Sequence, residues 1–334
     1  MRFRGTFPFE DLSFDIRVLI VDNYLSQSEL HSLSLVNKRL YSLVVPALYR
    51  NIRLISNISP SGSGRTALQT SQAILSRTLI FRPEIALYIR KLTWQAGDFP
   101  VGELGNPFWT LFPLLENVTA VHLIDPHPTC LAHRTPFSAL SCNISHIENS
   151  LSVTAVLFPR VRHIRISGMT AMSYVIPIFH SPETIETLEL ELISPNVTLQ
   201  DLLSWINSTK LPKLRTFAIS LKAPEMVTSD TLSQLISVYN NALVSIASTI
   251  QSLRLRWKPL EYRTIGRRVS RIPKAHTNGP SKFLEPITKS EIWPCLRYLE
   301  LLGPWMISDP YRESLMDLQQ RGIEVHVGNS GTET

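Results

Sequence analysis

Cysteine is scarce in these 334 residues: Cys130, Cys142 and Cys295 are all there is. An odd count with no C-x-x-C pair gives neither a disulfide framework nor a zinc knuckle. It suits a reducing compartment, and the three are expected to be small buried apolar residues. Long apolar runs are missing too. No stretch approaches the roughly 18 to 20 uninterrupted apolar residues that span a bilayer, and MRFRGTFPFEDLSFD reaches two acids before any run of signal-peptide length. A cytoplasmic or nuclear location without a membrane partner is the expectation. Catalytic signatures are also absent: there is no G-x-S-x-G, no G-x-x-x-x-G-K-S/T, no H-E-x-x-H, and no G-x-G-x-x-G after a strand. His122, His127 and His133 surround Cys130, but their irregular spacing and the nearby Pro126 and Pro128 point to loop histidines, not a metal set. With no nucleophile, base or ligand set to name, the sequence predicts no catalytic residue, no cofactor, no metal and no enzyme.

Charge of one sign is present only locally. The net charge is +6, and the segment from Lys258 to Lys282 alone holds seven basic residues against the single acid Glu261. The remainder sums to about zero, so the basicity is no property of the whole surface and argues against a nucleic-acid partner.

The first fifty residues carry three helix signals. Ile16, Leu19, Ile20 and Tyr24 recur at helical spacing and predict one apolar face, with Asp15, Arg17 and Asp22 on the other. Ser26-Gln27-Ser28-Glu29 is a capping-box pattern ahead of Leu30, Leu33 and Val36. Asn37 is an N-cap candidate for a third helix with Leu40, Leu43, Val44 and Leu48, which Pro46 is expected to bend or restart. Three short helices with so little linker must pack together or on a partner.

From Leu12 to Ile52 the chain resembles the F-box family. The matches are Leu12, Ile16, Ile20 and Leu25, then Leu30, Leu33, Leu35, Val36, Asn37, Arg39 and Leu40, then Leu48-Tyr49-Arg50. Ser13 stands where the family usually has proline, and Asp15 where it usually has glutamate. The resemblance implies docking of a Skp-type adaptor, and through it a cullin, by Leu12, Ser13, Asp15, Ile16, Ile20, Leu25, Leu30, Leu33, Val36, Asn37, Arg39 and Leu40. A three-helix cap sealing the end of a repeat array is the plainer alternative.

Beyond residue 80 the pattern apolar-x-x-apolar-x-apolar appears seven times: Ile89/Leu92/Trp94, Val118/Val121/Leu123, Val161/Ile164/Ile166, Ile185/Leu188/Leu190, Leu214/Phe217/Ile219, Ile250/Leu253/Leu255 and Leu296/Leu299/Leu301. A partial eighth is Ile323, Val325 and Val327. Each reads as a strand with one buried face, and Ser229 to Ser248 between two of them reads as a helix. Strand and helix in repetition predict an α/β chain, resembling an irregular leucine-rich-repeat solenoid with parallel strands on the concave side and helices outside. A doubly wound α/β domain is the alternative. The expected boundaries are a helical segment over 8–54, a linker over 55–65, and the solenoid over 66–334 with a basic insertion at 258–290.

Alternation turns Gln95, His122, Arg165, Glu189, Glu191, Ser220, Arg254, Arg256 and Glu300 toward the concave face as candidate contacts for an unidentified protein target. Their mixed signs suit a protein surface better than a polyanion. In the insertion, Arg267, Arg268 and Arg271 could pair with an acidic or phosphorylated segment. Two functions follow: the target-recognition adaptor of a ubiquitin ligase, or a non-catalytic scaffold that binds an acidic partner through the insertion.

Overall fold

The structure is a computed structural model that describes residues 9–55, 63–95, 114–124, 158–168, 181–193, 197–222, 229–258, 261–264, 267–270, 282–303 and 309–328. It is an α/β protein. Its long strands form a nine-stranded parallel sheet, and eight helices lie among the described residues. The chain divides into two compact units, Met1–Thr93 with Phe99–Val118, and Trp94–Asp98 with Thr119–Thr334. No helix among the described residues is long and apolar enough to cross a membrane.

The first unit opens with α1 (Phe14–Asn23), α2 (Gln27–Ser34) and α3 (Lys38–Arg50). Ser26 and Glu29 form the capping box: the Ser26 amide donates to Glu29 Oε2 at 2.7 Å and the Glu29 amide to Ser26 Oγ at 3.4 Å. Asn37 caps α3, accepting from the Leu40 amide at 2.8 Å. Val21, Leu30, Val44 and Ala47 make the bundle's core, flanked by Phe9, Leu25, Leu33, Leu43 and Leu48. Arg50 closes it with an ion pair to Asp22 at 2.9 Å. Two expectations fail here. Pro46 does not restart α3, which runs unbroken from Lys38 to Arg50. The predicted inner face of α1 points outward: Val21 and Arg17 are buried, while Ile16, Leu19 and Tyr24 are exposed. Apolar residues ring this helix, so spacing alone does not choose a side.

After β1 (Asn51–Leu54), α4 spans Ser63–Phe81, so Ser63 to Arg65 begin a helix and do not end a linker. The short α5 (Pro83–Ala86) follows, then β2 (Lys91–Gln95). The Arg90 amide ahead of β2 donates to the Arg50 carbonyl ahead of β1 at 2.9 Å.

In the second unit the strands are β3 (Ala120–Ile124), β4 (His163–Ser167), β5 (Thr187–Ile193), β6 (Thr216–Lys222), β7 (Ser252–Lys258), β10 (Tyr298–Leu302) and β11 (Glu324–Gly328). Each pairs in parallel with the next. The order never reverses, as it would in a doubly wound sheet. All seven complete apolar triplets are buried, none more than 6% exposed. Val327, on the sheet's edge strand β11, is 51% exposed. Helices α6 (Val197–Ser208) and α7 (Ser229–Ile246) pack together, and α8 (Asp309–Gln320) precedes β11.

The insertion departs from expectation at both ends. Glu261–Thr264 and Arg267–Ser270 pair as an antiparallel ribbon, β8 and β9, outside the main sheet. Residues 282–290, expected to be loop, contribute to the core through Phe283, Leu284 and Ile287, with Trp293 just beyond. Phe283 stacks edge-on to Tyr239 at 5.0 Å and lies 5.4 Å from Trp257, and Trp293 Nε1 donates to the Pro286 carbonyl at 3.0 Å. The segment folds as two 3-10 turns, Glu285–Thr288 and Ser290–Ile292, the first against α7 and α8 and the second against α8. Residues 271–281 lie outside the described residues. Cys295 is exposed, not buried, because it follows Pro294 in the turn leading into β10. Cys130 and Cys142 lie outside the described residues.

Two outcomes are expected. Gly303, at the end of β10, has φ +135°, and a Cβ there would collide with the Trp257 carbonyl oxygen. Gly303→Ala should cost on the order of 3 kcal/mol in urea unfolding. The Glu29 carboxyl is held below its usual value, first by the Ser26 hydroxyl and then by the Ser26 amide. Its contribution is present above the unfolded-state value and lost as pH falls through the lower folded value. Glu29→Gln should therefore flatten the acid limb of the stability profile below about pH 5.

Candidate functional site

Two surfaces gather the candidate residues, one in each unit. The first is the outside of the N-terminal bundle. Of the predicted adaptor contacts, Leu30 and Leu40 are buried, and Leu25 and Leu33 pack on the bundle core. Asn37 is occupied as a cap and also donates to Glu10 at 2.9 Å. Leu12 and Ile20 are half-buried, and Ser13, Asp15, Ile16, Val36 and Arg39 are exposed. Six large apolar side chains stand open: Phe14, Ile16 and Leu19 on α1 and Tyr24 at its C-cap, with Leu35 and Val36 between α2 and α3, at 43 to 75% exposure. Phe14, Leu19, Tyr24 and Leu35 were not among the expected contacts. Arg17 is buried beneath this helix, and its Nε finds no acceptor among the described residues.

The second surface is the polar face of the sheet. Register aligns His122, Arg165, Glu189, Ala218, Arg254, Glu300 and His326 in one row across seven strands. The sequence presents these as separate contacts, but the fold pairs them. Arg165 forms ion pairs with Glu191 and, at 3.7 Å, with Glu189. Arg254 lies 3.9 Å from Glu300 and over the Tyr298 ring at 5.7 Å. Burial, and then Glu300 beside it, pushes the Tyr298 hydroxyl above its ordinary value. Neighbouring strands thus neutralise one another's charge on this face.

Ser167, which the sequence reading omitted, sits at the centre of the network. Its hydroxyl donates to Glu191 at 3.2 Å and lies 2.8 Å from His122 Nε2. With the Ser167 O–H directed at Glu191, His122 must present its own proton to the hydroxyl oxygen, not a lone pair. The trio orients side chains and does not activate a nucleophile. Alternation from Arg165 could have found Ser167, two residues along β4 on the same face.

The other expected contacts are scattered. Gln95 at the end of β2 is buried, Ser220 is buried with its hydroxyl unpartnered among the described residues, and Arg256 is half-buried. Arg267 and Arg268 lie in β9, where Arg268 pairs in register with Arg263, while Arg271 lies outside the described residues. His127, Cys130 and His133 also lie outside them, and no group of His, Cys, Asp or Glu among the described residues is placed to hold a metal ion. No protein-family model and no curated protein matches the chain. What the two surfaces can do therefore follows from their own chemistry.

The buried hydroxyl should matter more than the exposed cation. Ser167→Ala removes the hydroxyl's bonds to His122 and Glu191, while Glu191 keeps Arg165, and should cost about 1 to 2 kcal/mol. Arg165→Met removes half-exposed ion pairs and should cost less than about 1 kcal/mol. Urea unfolding of the two variants checks the order.

Proposed function

We propose that this chain is the target-recognition adaptor of a Skp-cullin-F-box type ubiquitin ligase. The N-terminal bundle acts as an F-box-like segment that docks a Skp-type adaptor and through it a cullin. The strand repeats act as a leucine-rich-repeat-like solenoid that holds a protein target, and transfer chemistry is left to other subunits that gain from proximity.

What carries this proposal is the six open apolar side chains of the bundle. The three helices already own a core in Val21, Leu30, Val44 and Ala47, so Phe14, Ile16, Leu19, Tyr24, Leu35 and Val36 are surplus to folding. A terminal cap needs a polar outer face to stay soluble, and on this bundle six open apolar side chains interrupt it. A partner covering such side chains gains roughly 1.5 to 3 kcal/mol for each one fully buried.

Ser13 is compatible with this role. It precedes α1 with φ −57° and makes no side-chain capping bond, so proline would fit its backbone and remove no bond from its side chain.

Co-expression with a Skp-type adaptor is the test. The complex should survive gel filtration, Ile16→Asp with Val36→Asp should disrupt it while leaving the melting temperature intact, and Ser13→Pro should tighten it. If neither the native chain nor the Ser13→Pro variant retains the adaptor, the ligase role fails.

A further inference from the structure

The turns that lead into the strands of the second unit form a rim with its own charge pattern. Immediately ahead of β4, β5, β6, β7 and β10 stand Arg162, Glu186, Arg215, Gln251 and Arg297. They are equivalent by backbone geometry: the Glu186 amide donates to the Arg162 carbonyl, Arg215 to Glu186, Gln251 to Arg215 and Arg297 to Gln251, all at 2.8 to 2.9 Å. An arginine therefore recurs at every second strand. With strands about 4.8 Å apart, these positions repeat at roughly 10 Å.

Unlike the cations of the polar face, most of these are unspent. Arg162 leans on Glu186 at 3.6 Å. Arg215 and Arg297 are exposed and make no ion pair among the described residues, and the same holds for Lys213 and Lys210 in the turn before β6. The intervening Glu186, with Glu183 and Glu291 exposed nearby, breaks the rim into steps and disfavours an evenly charged polyanion.

We infer that this rim binds an acidic peptide segment in polyproline II conformation, with carboxylates on every third residue. Such a helix has three residues per turn and a rise of about 3.1 Å, so residues i and i+3 lie on one side about 9 Å apart, close to the arginine repeat. Arg215 and Arg297 each take one carboxylate, and Lys213 reinforces the first. Binding rests on the target-recognition half of the proposed function and is independent of adaptor docking.

The test uses the purified full chain without adaptor and a fluorescein-labelled peptide of four Glu-Pro-Pro repeats, followed by anisotropy. Binding should weaken with added salt and fall roughly tenfold or more in the Arg215→Glu/Arg297→Glu variant. The Gln-Pro-Pro peptide should not bind. Both substitutions lie on exposed side chains, so the variant should keep its melting temperature and its co-purification with a Skp-type adaptor. The inference is overturned if the Glu-Pro-Pro peptide does not bind the native chain or if the Gln peptide binds equally. It is also overturned if Arg267→Glu/Arg268→Glu abolishes binding while the rim variant retains it, or if a single-stranded oligonucleotide binds more tightly than the peptide.

Discussion

The second unit depends on one repeated hydrogen-bond arrangement at the start of its strands. Ahead of β4, β5, β6, β7 and β10, two consecutive amides donate to a single carbonyl of the preceding strand's turn. Arg162 and His163 donate to Thr119, Glu186 and Thr187 to Arg162, Arg215 and Thr216 to Glu186, Gln251 and Ser252 to Arg215, and Arg297 and Tyr298 to Gln251. A shared acceptor sets the register at its first residue, and because side chains alternate, one slip would send a whole apolar set into water. Held in this way, Val121, Ile164, Leu188, Phe217, Leu253 and Leu299 stack as one buried row. The intervals between repeats run from 24 residues (Val161 to Ile185) to 46 (Ile250 to Leu296), yet the rows stay aligned. The irregularity goes into connections, which tolerate it at small entropic cost.

The same alignment divides the polar residues into two kinds. Those within the strands stand beside partners one strand away, and Arg165 with Glu189 and Glu191, or Arg254 with Glu300, neutralise each other. Those in the turns ahead of the strands alternate between arginine and other residues, so Arg215 and Arg297 keep their charge. Recognition by charge therefore moves from the face of the sheet to its rim. In the N-terminal unit the division is between apolar groups: one set builds the three-helix core and a second set on α1 and after α2 remains open.

Much of this was legible in the sequence because it is local. The triplets are set by strand alternation, the Ser26 and Asn37 caps by side chains three residues from their amides, and α7 by its helical spacing. Other features depend on partners distant in sequence. The α1 face could not be chosen from a ring of apolar residues and is decided by Leu30, Val44 and Ala47. The pairing of Arg165 with Glu191 needs the register of two strands. Residues 282–290 looked like loop because Pro286 and the prolines before it interrupt any helical period, although Phe283 is among the most buried side chains. Cys295 was misplaced by composition, which cannot see that it occupies the same outward turn position as Lys213.

The claim that strands stack in chain order, at one register, is tested most directly by spin-label distances. With the native cysteines replaced, Arg162→Cys would be labelled in turn with Arg215→Cys, Arg297→Cys or Glu324→Cys. Two, four and five strand steps predict backbone separations of roughly 10, 19 and 24 Å, rising with chain order. A separation that fails to rise in that order, as a doubly wound sheet would produce, contradicts the account.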